Sequence, residues 1–245
     1  MELNTNTVLI TGGASGIGFA LAERFIQAGS TVIICGRRED KLKEAQAKYP
    51  QLGIRVCNVA DPAERTALFA WVTEKYPELN VIINNAGIQQ RLQLPQPPTW
   101  ETLHEEVAIN LEAPIHLSVL FIPHLLKQAH PAILNVTSGL AFAPLANVPV
   151  YSATKAALHS FTLSLRHQLA GTPISVIEII PPAVNTDLGG KGLHTFGAPL
   201  DEFTDAIIEQ LKAGSLEATY GFATESSRAS REQLDAIFKR MNQPR

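Results

Sequence analysis

The stretch "TVLITGGASGIG", residues 7–18, decides how the rest of this chain is read. A β-branched, apolar run, "TVLIT", leads directly into a glycine-rich turn and then into residues of helical period. Near-continuous apolar runs of this kind suit strands buried on both faces of a parallel sheet. Glycines after such a strand let the chain turn tightly and let backbone N–H groups approach a pyrophosphate. The helix N-terminus that follows favours the same negative charge. Strand, turn and helix in this order are what a dinucleotide site requires. Gly12, Gly16 and Gly18 do not form the G-x-G-x-x-G of the commonest dinucleotide folds.

Outward from this stretch, short apolar runs alternate with helix-period segments. Strands are expected at 7–11, 31–35, 54–57, 80–85, 132–138 and 174–180, with a short edge strand near 218–223. Helices are expected at 16–28, 38–48, 62–76, 100–128, 151–170, 201–213 and 230–241. This alternation implies right-handed βαβ crossovers and an α/β fold: one Rossmann-like domain over 1–245, a doubly wound parallel sheet with helices on both faces. Two irregular segments, 88–99 and 186–200, follow strands on the carboxyl side of the sheet, where open α/β sheets bind ligands. The first carries three prolines and reads as stiff; the second carries four glycines and reads as a lid.

Composition narrows the function classes. The net charge of -3 gives no basic excess for nucleic acid phosphates. Cys35 and Cys57 both sit in apolar runs and read as small core residues, not as a disulfide or a metal site. The seven histidines show no metal-ligand spacing, so no metal is expected; His194, in the lid segment, is kept as a possible substrate contact. No signal-like leader opens the sequence, and no apolar run reaches the roughly 18 residues of a membrane span. The expectation is a soluble cytoplasmic protein with no nucleic acid or membrane partner.

The second strand ends in "CGRRED", residues 35–40. An acidic residue there would serve the 2′-hydroxyl of NAD, whereas arginine suits a 2′-phosphate. Gly36 stands in the acid's place, with Arg37 and Arg38 next, and basic charge at the start of a helix opposes its dipole. A ligand role resolves that conflict, so NADP(H) is preferred, with NAD(H) as the alternative. In "YSATK", residues 151–155, a tyrosine and a lysine stand at i and i+4 and share one helix face. A cation within a few ångströms lowers a phenol's pKa. Tyr151 is thus either a general acid and base with Lys155 as its tuning charge or, as in many chance pairs at this spacing, a solvated neighbour of Lys155 on an ordinary helix.

With these pieces in place the chain resembles the short-chain dehydrogenase/reductase family, in its NADP-preferring subtype and over nearly its whole length. "TGGASGIG" is similar to the family's T-G-x-x-x-G-x-G turn, "NNAG" (84–87) to the motif after its fourth strand, and "YSATK" to Y-x-x-x-K. Asn110 lies in "VAINLEAP" as the family's helix asparagine does, and Ser138 precedes Tyr151 by the family's separation of thirteen. "PPAVNT" (181–186) stands where P-G-x-V-x-T is usual, with Pro182 in place of glycine; proline removes a backbone donor and fixes φ. "IFKRMN" and "PPAVNTDL" bear a fainter similarity to bacterial relatives named for D-alanyl transfer to cell-wall polymers.

The resemblance implies roles residue by residue. Gly12, Ala14, Ser15, Ile17 and Gly18 hold the pyrophosphate and nearby ribose, with Ser15 also near the 2′-phosphate beside Arg37, and Arg38 next to it. Asn58 and Val59 flank the adenine; Asn58 replaces a more frequent aspartate. Asn85, Ala86 and Gly87 line the ribose, and Val184 and Thr186 meet the nicotinamide carboxamide. Lys155 hydrogen-bonds the nicotinamide ribose, Ser138 the substrate oxygen, and Asn110 a water that relays protons to Lys155. Gln89, Leu140, Phe142, Leu145, Val148, Leu188 and Phe196 are expected to face the substrate, a largely apolar set with no obvious arginine. This favours a small apolar ketone or aldehyde, or the corresponding alcohol. The implied activity is an NADPH-dependent carbonyl reductase, reversible as an alcohol dehydrogenase. An NAD-dependent alcohol or sugar dehydrogenase and an inactive nucleotide-sensing protein are the alternatives. A dimer through helices 100–128 and 151–170 is as consistent as the tetramer many relatives form, because the usual glycine-rich last strand is missing.

Overall fold

The computed structural model describes residues 1–96 and 98–243; Pro97, within the irregular segment 88–99, lies outside them. Seven strands among the described residues form one parallel sheet: β1 (Thr7–Thr11), β2 (Thr31–Gly36), β3 (Gly53–Val56), β4 (Val81–Asn84), β5 (Ala132–Val136), β6 (Ser175–Ile180) and β7 (Glu217–Thr219). Their order, β3-β2-β1-β4-β5-β6-β7, reverses direction between β1 and β4. Ligands of doubly wound sheets bind at such a reversal, beyond the carboxyl ends of the strands.

The strand sequences are apolar on both sides because both faces are covered. Val8, Ile10, Val32, Ile34, Val81 and Ile83 point to one face, under helices α1 (Gly16–Gln27), α2 (Glu39–Lys48) and α7 (Leu200–Lys212). Leu9, Ile33, Cys35, Ile82, Ile133 and Val176 point to the other, under α3 (Pro62–Lys75), α5 (Ala113–Leu125) and α6 (Pro149–Gln168). Phe25 and Phe203 fill the first layer and Phe121 the second, each fully buried and worth roughly 1.5–3 kcal/mol by transfer. Cys35 and Cys57 are free buried thiols of the second layer. Helix α3 starts at Asp61, whose carboxylate accepts from the Ala63 N–H at 2.7 Å, with Pro62 in the first turn.

Two expectations change. The single helix expected over 100–128 is α4 (Trp100–Val107), a π-helical turn at Ala108–Glu112, and α5. The widened turn swings Asn110 inward, and π turns of this kind are frequent at functional sites. The run Trp100–Leu125 has a mean hydropathy of 1.2 over its most apolar 18 residues, yet its residues Leu117, Phe121 and Leu125 are buried against the sheet like those of a core helix. The edge strand expected over 218–223 is shorter, because Gly221 at φ 53° turns the chain into helix α8 (Phe222–Arg228). Helix α8 packs against the short 3₁₀ turn Gly139–Ala141 that follows β5. The last helix, α9 (Arg231–Met241), opens on a capping box between Ser230 and Gln233.

Candidate active site

The glycine turn and the segment after β4 are built against each other. The Thr11 hydroxyl oxygen accepts from the N–H groups of Asn85 and Ala86, both at 3.0 Å. The Asn85 amide donates back to the carbonyls of Thr11 at 2.9 Å and Gly12 at 3.2 Å. A Cβ on Gly18 would stand 2.3 Å from the Asn85 amide nitrogen, and one on Gly12, at φ 64°, would stand 2.9 Å from the Ala86 Cα. These two glycines are therefore demanded by close approach. Ser15 caps α1 in extended conformation with no side-chain bond to the helix, and no acid lies in the first turn. The N-terminal N–H groups of α1 thus face a site favourable to an anion.

The two arginines find different partners. Arg38 reaches the Ser15 hydroxyl at 3.2 Å, whereas Arg37 pairs with Glu105 at 2.6 Å, so Arg38 and not Arg37 shares the Ser15 corner. Asn58 turns its amide oxygen back to the Ala60 N–H at 3.2 Å, and Val59 is buried, its carbonyl accepting from Arg65 at 2.9 Å. On the opposite side, Val184 bridges to Ala198, and Thr186 lies beneath the turn, 3.4 Å from where a Gly16 Cβ would be. Pro182 does not unseat this segment: the Pro181 carbonyl accepts from Gly139 N–H, and Ala183 and Asn185 both bond Ala198, each at 2.9 Å. Ala14 and Ile17 flank the turn and touch the first core layer.

Helix α6 carries Tyr151 and Lys155 inward, and both are buried. Lys155 lies 5.6 Å from the Tyr151 ring centroid and donates to the Val136 carbonyl at the end of β5 at 2.8 Å. Ser138 follows two residues later and accepts from the Leu140 N–H at 3.1 Å. Asn110 spans to the segment after β4: its amide donates to the Ile88 carbonyl and its oxygen accepts from the Ile88 N–H, both at 2.9 Å. A Cβ at Gly87 would lie 3.4 Å from the Asn110 oxygen and 3.8 Å from the Lys155 nitrogen, so all three border one small space. The fold thus gathers Asn110, Ser138, Tyr151 and Lys155 from three separate elements.

The electrostatics differ from the sequence expectation. Tyr151 is not lowered but pushed up to about 12: burial disfavours the phenolate, the facing Ser138 hydroxyl eases it partly, and the negative charge of Glu106 adds to the rise. Burial pulls Lys155 down to about 8, with Glu106 opposing. Glu106 itself, on α4, is wholly buried and pushed up to about 7 by desolvation, against a hydrogen bond from Gln90 and the charge of Lys155. Sequence reasoning missed Glu106; it stands one turn before Asn110 in a charged helix, "WETLHEEV", whose pattern does not single it out as the one buried residue. It also missed Glu178, a charge amid the apolar "SVIEII" of β6. Glu178 accepts from Thr137 at 2.6 Å and pairs with His159 at 2.9 Å, which raises the imidazole.

The two irregular segments after β4 and β6 touch: a Cβ on Gly189 would lie 3.0 Å from the Gln89 carbonyl. Gln89, Leu140, Leu145 and Leu188 are half-buried. Val148 is buried at the start of α6, Phe142 turns edge-on to His159 at 4.6 Å between centroids, and Phe196 points to solvent at 77% exposure. Arg91 is exposed beside His194, whose imidazole is pushed down by burial first and by the Arg91 charge second. Among the described residues, no group of His, Cys, Asp or Glu is arranged to hold a metal.

A doubly wound parallel sheet, a glycine turn locked to the segment after β4, and a Ser, Tyr, Lys and Asn group at the strand ends define the class, and residues 6–195 match the short chain dehydrogenase family. The chain belongs to that family and is an oxidoreductase. It is 47% identical over 249 residues to the oxidoreductase DltE of Bacillus subtilis strain 168, covering 99% of this chain and 98% of that protein. It is 32% identical to 1-deoxy-11-beta-hydroxypentalenate dehydrogenase of Streptomyces avermitilis, over 86% of this chain and 83% of that one. Among solved structures, a short-chain dehydrogenase from Sphingobium yanoikuyae in complex with NADPH superposes with a TM-score of 0.81 at 26% identity, covering 95% and 92% of the two chains.

Proposed function

We propose that this oxidoreductase is an NADPH-dependent carbonyl reductase for apolar ketones or aldehydes, running in reverse as an alcohol dehydrogenase. The observation that carries this reading is Tyr151: buried, protonated across the neutral range, faced by the Ser138 hydroxyl and backed by Lys155. The residues present fit a nicotinamide dinucleotide. The α1 N-terminus, with no side-chain cap and no acid in its first turn, suits the pyrophosphate, and Arg38 beside Ser15 suits a 2′-phosphate. The NADPH complex of the Sphingobium relative supports the same choice. When bound, the nicotinamide supplies hydride at the carbonyl carbon.

The chain's own residues then handle the oxygen. Ser138 holds the carbonyl oxygen in line, and Tyr151 donates its Oη proton to that oxygen as negative charge develops there. Lys155, held at the Val136 carbonyl, stabilises the phenolate left behind. Leu140, Leu145 and Leu188 favour an apolar substrate body. The test is NADPH oxidation against aromatic, aliphatic and keto-ester carbonyls, with NADH in parallel. Tyr151→Phe is expected to lower turnover at least about a hundredfold while NADPH binding survives. Near-normal turnover in that variant refutes the mechanism, and faster turnover with NADH refutes the cofactor choice.

We also propose that a second copy covers the outer faces of α5 and α6. Val119, Leu126 and Leu163 are large apolar residues exposed there, on the side of these helices away from the sheet. Covering them in a homodimer removes apolar surface from water without disturbing the site on the inner face.

A further inference from the structure

Glu106 has no part in the hydride-transfer scheme above, yet it is the charged group most closely bound up with it. It is the one buried residue of α4, with no solvent exposure. One carboxyl oxygen accepts from the Gln90 N–H at 3.1 Å; the other, Oε2, is sealed from solvent with no hydrogen-bond partner among the described residues. A buried carboxyl with an orphaned oxygen is costly and calls for a compensating charge. Helix α4 packs against α6, whose inward face carries Tyr151 and Lys155.

The surrounding elements offer few other charges. The segment after β4 turns the neutral Asn110 contacts and the Gln90 N–H toward this space, while its Arg91 is exposed. The end of β5 supplies only the Val136 carbonyl and the Ser138 hydroxyl. On α4 and the π turn, Glu105 pairs outward with Arg37 at 2.6 Å and His104 with Glu112 at 3.3 Å, all half-exposed. Farther along α6, His159 is taken by Glu178. Glu106 and Lys155 are thus the buried charged groups of the facing helices α4 and α6, each within reach of the other's charge but without a direct ion pair.

We propose that Glu106 is a positioning residue that acts as the counter-ion of Lys155, keeping that lysine charged and so setting the upper pH limit of turnover. The kinetic half rests on the functional reading above; the electrostatic half does not. The directions agree with it: Glu106 raises Lys155 against burial, and Lys155 lowers Glu106 against burial. Removing the carboxylate leaves burial unopposed at Lys155, and its ammonium then loses its proton at a lower pH.

The variant to make is Glu106→Gln, which keeps an oxygen for the Gln90 N–H and removes only the charge. Lys155 is followed directly by NMR of ¹³Cε-labelled lysine, its resonance assigned by its loss in Lys155→Met. The expected result is a Lys155 midpoint lower by half a unit or more, about a threefold or greater shift in its proton equilibrium. Glu106→Asp is expected to fall between, and the basic limb of the kcat profile should move with the midpoint while KM for NADPH stays. An unmoved Lys155 midpoint in folded Glu106→Gln protein overturns the proposal, whatever the activity does. A moved midpoint with an unmoved kcat limb overturns its kinetic half. Loss of the carbonyl reductase reading itself would show in Tyr151→Phe and leaves the Lys155 titration to decide this proposal alone.

Discussion

Arg37 and Arg38 are neighbours in sequence with different partners in space. Arg38 reaches Ser15 beside the glycine turn, and Arg37 is drawn to Glu105, 68 residues away. Arg38→Ala is therefore expected to weaken NADPH roughly 10–100-fold, the value of a charge-assisted hydrogen bond of about 1.5–3 kcal/mol, with little effect on NADH. Arg37→Ala, which breaks an exposed pair worth about 0–1 kcal/mol, should move the KM ratio of the two cofactors far less. Steady-state KM values for both cofactors in both variants make the comparison. That a basic pair replaces the usual acid was legible in "CGRRED". Which arginine reaches Ser15 was not, because a side chain chooses its partner by distance and Glu105 belongs to another helix.

Between elements, the pair His159–Glu178 ties α6 to β6. Glu178 is wholly buried, and His159, partly exposed, and Thr137 are its hydrogen-bond donors. Because Glu178 raises the His159 pKa in the folded state above its ordinary 6.5, the stabilisation is fully present below pH 6.5 and is lost as pH rises through the raised value. His159→Gln is expected to cost roughly 2–3 kcal/mol near pH 6, and the gap to the wild type should narrow above pH 8. Denaturant midpoints at the two pH values measure it. Equal costs at both would remove the charge from the explanation. The helices and strands were largely legible, since burial on two faces writes apolar runs and a one-sided core writes helical period. The π turn at Ala108–Glu112 was not legible: one extra residue in a turn barely alters periodicity, while it redirects Asn110 toward Ile88.

For the molecule as a whole, the open question is what covers α5 and α6. Val119→Glu combined with Leu163→Glu is expected to convert a dimer to a monomer, read by sedimentation, with the fold of the single chain kept because both side chains face solvent in it, and the thermal midpoint lowered by loss of the partner. A wild type that sediments as a monomer refutes the assembly. The sequence by itself determined the sheet, the glycine turn and the Tyr151–Lys155 pair, because each depends on local spacing: alternation of apolar runs, close backbone approach, and one helix turn between Tyr151 and Lys155. Ser138 and Asn110 were read only through the family resemblance. Only the tertiary structure decided the charges of the site. Tyr151 is pushed up and Lys155 pulled down by burial, and both feel a carboxylate from α4. Desolvation and Coulomb interaction depend on distance through space, and the elements that meet at Lys155 come from four parts of the chain.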